Sequence, residues 1–138
     1  MDPCVKLARE FKRADRAESY APYNDGDYQD EYRAAAERAS NRLVVTKPTT
    51  PQGAARLLDH AARLSGGVFG EDMLKRLRQI GREWRNGRRQ DDELIVLRQI
   101  VELVELFPRG TMLSEDIQDD MLSLLNNALS FMCRLRLV

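Results

Sequence analysis

Apolar residues recur every three or four positions along almost the whole chain, and short segments that contain proline or glycine interrupt this pattern. Such spacing places the apolar side chains on one face of an α-helix, whereas a half-buried strand alternates apolar and polar residues. The segment Leu43-Val44-Val45-Thr46 has the β-branched residues of a strand, but a lone strand has no pairing partner, so it is interpreted as a helix end. The sequence therefore predicts an all-α protein.

Capping residues mark where the helices begin. Asp2-Pro3 and Thr50-Pro51 each put a side chain that accepts backbone N–H groups directly before proline, whose fixed φ suits the first helical position. Acidic residues open the later helices, and proline, glycine or an asparagine-glycine pair ends the helices. The predicted helices cover residues 2–20, 27–45, 50–64, 71–85, 91–107 and 114–135.

These elements predict a compact bundle of five to six helices, in which the first two form an antiparallel hairpin. The fifth helix is apolar on all but a narrow edge, so we expect its neighbours to surround it. Residues 65–70 form a possible seam, but each half would hold only about seventy residues, a size at which a single core is marginal. We therefore expect one helical domain over residues 1–138.

The charges of the chain balance, because its 138 residues include 22 Lys and Arg and 22 Asp and Glu. The whole molecule thus exerts no general pull on a polyanion or a basic partner, and any electrostatic attraction must be local. No apolar run approaches the ~20 residues that cross a bilayer, and Met1-Asp2-Pro3-Cys4 leads into charged residues rather than an apolar signal segment. We expect a soluble, cytoplasmic protein with no membrane partner, in which Cys4 and Cys133 stay reduced.

Residues that assemble catalytic or metal sites are sparse in this sequence. His60 is the single histidine and lacks the Glu-x-x-His or His-Glu-x-x-His partners of di-iron and zinc sites, so it is interpreted as a residue at the flank or surface of its helix. A calcium-binding EF-hand loop starting at Asp25 would need glycine and glutamate where Asp30 and Ala36 stand. We therefore expect no catalytic residues, no metal and no cofactor, and a protein that is not an enzyme.

One segment departs from the balanced charge. Between residues 75 and 89, seven Lys and Arg residues accompany a single acid, Glu83. Most of them lie on the fourth predicted helix, and a basic helical face can neutralise phosphates or pair with an acidic protein surface. Such a surface could be the cluster Glu115-Asp116-Asp119-Asp120 of the sixth helix or the acids of a second subunit. The candidate contact residues are Lys75, Arg78, Arg82, Arg85, Arg88 and Arg89.

Two hypotheses for function follow. The first is a non-enzymatic helical protein that mediates protein-protein interaction or assembly and self-associates as a homodimer. It rests on helices five and six, which offer more apolar surface than three short amphipathic neighbours cover. The alternative is a nucleic-acid-associated protein that uses the basic segment 75–89.

The loop between the second and third helices carries the pattern Pro48-Thr49-Thr50-Pro51-Gln52-Gly53, between a long charged helix and an Ala/Leu-rich helix. In this pattern, residues 1–65 resemble uncharacterised helical-hairpin proteins that are common in alphaproteobacterial genomes and their prophages. Those proteins carry a short loop containing proline, threonine and glycine at this place, after an N-terminal helix of similar length. The resemblance implies a helical fold and a bacterial source, and it transfers no catalytic residues.

Overall fold

The computed structural model describes residues 1–20, 26–66, 68, 70–88, 90–110 and 113–137. Within these ranges the chain forms six α-helices and no strand. The predicted all-α bundle is therefore confirmed, and residues 43–45 end a helix, as expected from the sequence. The helices are α1 (Pro3–Tyr20), α2 (Gly26–Val45), α3 (Pro51–Leu64), α4 (Glu71–Arg85), α5 (Asp91–Leu106) and α6 (Glu115–Leu137).

The N-terminal ends of α1 and α3 meet at one carboxylate. Asp2 Oδ1 accepts the backbone N–H of Cys4 in α1 at 2.7 Å. Its Oδ2 accepts the backbone N–H groups of Thr49 and Thr50, each at 2.7 Å. Thr50 in turn caps α3, because its Oγ1 accepts the Gly53 N–H at 3.1 Å. Both predicted cap-proline starts are confirmed, and the Thr-Thr-x-x-Gly part of the loop is explained by its contacts with Asp2.

The first two helices pack against each other as the predicted hairpin. Close to their connection, Arg33 of α2 donates to Glu18 of α1 at 2.9 Å. Buried alanines on the facing sides let the two backbones approach. At the far end of α2, the side-chain amide of Asn127 in α6 donates to the Val44 carbonyl at 3.2 Å, which fastens the hairpin to the C-terminal part of the bundle.

Helix α3 lies at the centre of the bundle and packs against α1, α4 and α6. Its small residues permit these close neighbours, and residues on several of its faces are buried. Beyond Gln52 in its first turn, the polar side chains that remain accessible are Arg56, Asp59 and Arg63. Their spacing of three and four residues places them in one stripe, which faces the space between α1 and α4.

Helix α5 is not surrounded, which corrects the expectation from its sequence. It packs mainly against α6 through a buried face that includes Leu97, Val101 and Val104, while Ile95 and Leu106 are exposed. The alanine-rich α3 takes the central position instead, because short side chains allow helices to approach it on several sides. The apolar content of α5 therefore predicted that the helix has a buried face. It did not predict which helix lies at the centre of the bundle.

Buried polar side chains hold the ends of α4 and α5. Trp84 is fully buried and donates its Nε1–H to Glu93 Oε2 at 2.8 Å, which joins the last turn of α4 to the first turn of α5. Between them Gly87 has a φ of 74°, the left-handed conformation expected where glycine stops a helix. At the other end of α5, Gln118 of α6 donates to the Val104 carbonyl at 2.8 Å.

Buried residues from all six helices form one continuous hydrophobic core. This core includes residues from both sides of the segment 65–70, because α3, which precedes the segment, packs against α4, which follows it. Cys4 is buried and Cys133 is partly exposed, and within the described residues neither forms a disulfide. Within the described residues, no helix combines the length and the apolar character that crossing a membrane requires.

Candidate functional site

A concave groove of about 360 Å³ between α1, α3 and α4 collects cationic side chains. Asp59 is the one carboxylate among the described residues that line it, and Phe11 and His60 form part of its wall. The groove thus concentrates positive charge locally in a molecule whose formal net charge is zero. Its six cations are Lys12 of α1, Arg56 and Arg63 of α3, and Arg78, Arg82 and Arg85 of α4, and we call it the basic groove.

Helical spacing explains why these side chains share one groove. Arg78, Arg82 and Arg85 are separated by four and three residues, so they follow one stripe of α4 at the edge of its buried face. Arg56 and Arg63 are seven residues apart, about two turns, and therefore lie on the same side of α3. Packing of α4 and α1 against α3 then brings the three sets of cations around one space.

An ion pair crosses the basic groove. Asp59 Oδ2 of α3 lies 2.8 Å from an Nη atom of Arg85 in α4. Gly81 leaves room for this carboxylate, because a Cβ at that position would stand 3.0 Å from Asp59 Oδ1. Burial raises the pKa of Asp59 above its usual value, although the surrounding cations act in the opposite direction. The Arg85 Nε is buried and has no hydrogen-bond partner among the described residues, so this guanidinium keeps a donor that the protein does not satisfy.

His60 is buried beneath the groove, which corrects its interpretation as a flank or surface residue. Its Nε2 lies 2.8 Å from Ser40 Oγ of α2, and the Phe11 ring of α1 meets it edge-on with the ring centroids 4.9 Å apart. The residue is covered because α1 and α2 close over this side of the central helix. Burial lowers the pKa of His60 to about 4, and the charge of Arg63 adds to this effect.

The Ser40–His60 pair has the distance of a nucleophile and its base, but its surroundings do not match that chemistry. An imidazole whose pKa is about 4 is a weak base. Among the described residues no carboxylate forms a hydrogen bond with the ring, and Ser40 does not line the basic groove. The contact is accounted for as a hydrogen bond that satisfies a buried polar side chain.

The predicted contact residues of segment 75–89 divide into two groups. One group follows the stripe of α4 that faces the basic groove, and the described members of the other do not line the groove. Arg78, Arg82 and Arg85 line the groove, Lys75 and Arg88 are exposed elsewhere, and Arg89 lies outside the described residues.

Three residues of the basic groove, Lys12, Arg56 and Arg63, are not among the predicted contact residues. The sequence carries a signal for two of them. Arg56 and Arg63 lie with Asp59 in a polar stripe on a largely apolar helix, and a stripe of that kind marks an accessible edge. Lys12 lies with Lys6, Arg9, Arg13 and Arg16 on one basic face of α1, but helical spacing does not show that this face borders α3 and α4.

The acidic cluster of α6 is engaged locally. In the part of the chain that the structure describes, Asp119 pairs with Arg109 at 3.0 Å, and no ion pair joins the cluster to α4. Burial, together with the charges of Asp116 and Asp119, raises the pKa of Asp120. Within the described residues, this cluster therefore does not pair with the basic helix of the same chain.

No group of three or more His, Cys, Asp and Glu side chains within the described ranges is placed to hold a metal ion. Asp25, which would begin the rejected calcium loop, lies outside those ranges. Comparison with protein-family models, with curated proteins and with solved structures finds no match to this chain. The resemblance of residues 1–65 to helical-hairpin proteins therefore stays a prediction.

Proposed function

We propose that this protein binds nucleic acid through the basic groove, as a binding protein rather than an enzyme. The observation that supports this function is that six cations from three helices surround one groove. Asp59 is its single lining carboxylate among the described residues, and Asp15 pairs with Arg63 at 2.9 Å. Five of the six are arginines, whose planar guanidinium presents paired donors to phosphate oxygens. Neutralisation of phosphates by such side chains supplies much of the affinity of proteins for nucleic acid.

An acidic protein segment is the main competing ligand. The cations continue beyond the groove, because Lys12 also belongs to a neighbouring depression on α1 that Arg9, Arg13 and Arg16 line. A phosphodiester strand carries a charge at every nucleotide, whereas protein segments rarely carry one at every residue. A cationic surface of this extent therefore favours the phosphodiester strand.

Self-association as a homodimer stays a prediction, as do a cytoplasmic location and a bacterial source. Besides Met1 at the N-terminus, the exposed large apolar residues among those described are Val45, Ile95, Leu106 and Leu135, which lie on three different helices, α2, α5 and α6. Sedimentation equilibrium at micromolar concentration tests the dimer. A mass of two chains would support it, and a mass of one chain would remove it.

The nucleic-acid function is tested by two variants with equal loss of charge. Arg78→Gln/Arg82→Gln removes two groove cations, and Lys75→Gln/Arg88→Gln removes two exposed cations outside the groove. Fluorescence anisotropy with a labelled oligonucleotide at low salt measures binding. We expect the groove variant to lose roughly tenfold in affinity. The slope of the logarithm of affinity against the logarithm of salt concentration, called the salt slope, should become smaller by about 1 to 2 in this variant. The control should lose no more than about twofold in affinity.

Two outcomes would contradict the proposal. One is the absence of salt-dependent binding by the wild-type protein. The other is an equal loss in both variants, because it would mean that general charge and not the groove attracts the oligonucleotide. Circular dichroism melting of each variant checks that the fold is retained.

A further inference from the structure

The basic groove is the first of three adjoining depressions that cross α1. The second, of about 330 Å³, lies on the outer face of α1 and is lined by Arg9, Lys12, Arg13 and Arg16. The third, of about 390 Å³, lies between α1 and α2, and its charged lining consists of the cations Arg13, Arg38 and Arg42 and the carboxylate of Glu10. Because Lys12 lines the first and second depressions and Arg13 the second and third, the three form a continuous cationic path.

This path bends around α1. Successive residues of an α-helix are rotated by about 100°. On this scale three sets of α1 residues follow one another around the helix axis. They are residues 8, 11 and 12 of the basic groove, residues 9, 12, 13 and 16 of the second depression, and residues 10, 13, 14 and 17 of the third. The centres of the first and third sets lie about 200° apart, slightly more than half the circumference of a cylinder about 10–12 Å wide. A ligand that contacts all three depressions must therefore curve sharply.

We propose that the ligand is single-stranded nucleic acid, whose backbone runs from the basic groove over α1 to the cations between α1 and α2. This inference rests on the proposed function and names the form of nucleic acid. A duplex is stiff over a persistence length of about 150 base pairs and cannot follow a curve as tight as one helix. A single strand follows it and places about two or three further phosphates on α1.

Aromatic side chains accompany the cations at both ends of the path. Phe11 lines the basic groove, and Tyr32 lines the depression between α1 and α2. The Arg63 guanidinium lies over the Phe11 ring, 4.9 Å from its centroid. Unstacked bases pack on aromatic rings and on guanidinium planes, and proteins that bind single strands combine such surfaces with a cationic groove. Bases of a duplex are stacked within the helix and do not reach these side chains.

The test compares oligothymidylate with a duplex of equal length, each labelled with fluorescein, in the presence of the full chain. The path variant is Arg13→Gln/Arg38→Gln, which changes exposed residues of the third depression. Its control is Arg109→Gln/Arg134→Gln, which removes two exposed cations associated with α5 and α6. We expect the wild-type protein to bind the single strand at least about tenfold more tightly than the duplex. The path variant should weaken single-strand binding and lower its salt slope by about 0.7 for each lost phosphate contact.

The outcomes separate this inference from the proposed function. If the duplex binds as tightly as the single strand, or if the path variant binds oligothymidylate like its control, the curved path is wrong, although the groove still binds nucleic acid. If neither oligonucleotide binds, the proposed function itself fails. Weakening of single-strand binding by the path variant, with duplex binding unchanged, supports both.

Discussion

The Asp59 carboxylate lies 2.8 Å from the Arg85 guanidinium and places the one negative charge among the described lining residues inside the basic groove. The pair joins α3 to α4 at the point where cations of both helices face each other. A phosphate that enters the groove meets the same guanidinium. Asp59 therefore competes with the ligand for Arg85 and reduces the positive potential of the groove.

Asp59→Asn should increase the affinity for oligothymidylate by roughly three- to tenfold at low salt, because it removes a repulsive charge while keeping the shape of the side chain. Asp92→Asn is the matched control, since Asp92 forms an exposed pair with Arg76 outside the groove at 3.8 Å. Anisotropy titrations of the two variants give the comparison. Weaker binding by Asp59→Asn would show instead that the carboxylate is needed to position Arg85.

The hydrogen bonds that the Asp2 carboxylate accepts at the junction of α1 and α3 should stabilise the fold. Burial alone would raise the pKa of Asp2, but hydrogen bonds from Thr49, Thr50 and Cys4 outweigh it and hold the pKa below its usual value. An amide cannot accept all of these donors, so Asp2→Asn should lower the free energy of unfolding by about 2–4 kcal/mol. Urea denaturation at neutral pH measures the change. A loss below about 0.5 kcal/mol would mean that the junction contributes little.

Gly53 and Asp2 should be energetically coupled. A Cβ at Gly53 would overlap the Asp2 carboxylate, so Gly53→Ala is expected to be strongly destabilising in the wild-type chain. In an Asp2→Ala background the space is free, and the same change should cost less. A double-mutant cycle by urea denaturation gives the coupling energy, which should exceed about 1 kcal/mol. Simple additivity of the two changes would contradict the described contact.

His60 should make stability depend on pH. Its pKa falls from the usual 6.5 to about 4 on folding, so between these values the unfolded chain binds more protons than the folded chain. Stability should therefore decrease as the pH falls from 6.5 to 4, and His60 accounts for about 3 kcal/mol of this decrease.

His60→Gln provides the comparison, because glutamine retains a polar group near Ser40 and does not titrate. Other titrating groups contribute equally to both proteins, so the difference between their stability curves isolates the histidine. We expect that difference to change by about 3 kcal/mol across this pH range. Parallel curves for the two proteins would show that His60 is accessible to water in the folded state.

The fold could largely be predicted from the sequence, because local chemistry determines where its helices begin and end. The start of α3 needs only a threonine cap followed by proline, and the end of α4 needs only a glycine that adopts positive φ. These effects act within a few residues. They therefore leave a pattern that can be interpreted before any tertiary contact is known.

The basic groove was only partly predictable, because it depends on how helices pack. The spacing of Arg78, Arg82 and Arg85 indicated a basic stripe on α4. That Arg56 and Lys12 face this stripe follows from the central position of α3, which no periodicity reveals. For the same reason the burial of His60 and the exposed edge of α5 could not be derived from their own segments.

NMR observation of the arginine Nε–Hε signals during a titration with oligothymidylate tests the central claim most directly. The account predicts that the signals of Arg56, Arg63, Arg78, Arg82 and Arg85 shift or broaden as the strand binds. Those of Arg98, Arg109 and Arg134, which lie on or next to α5 and α6, should stay in place. Perturbation of the second group without the first would contradict binding in the basic groove.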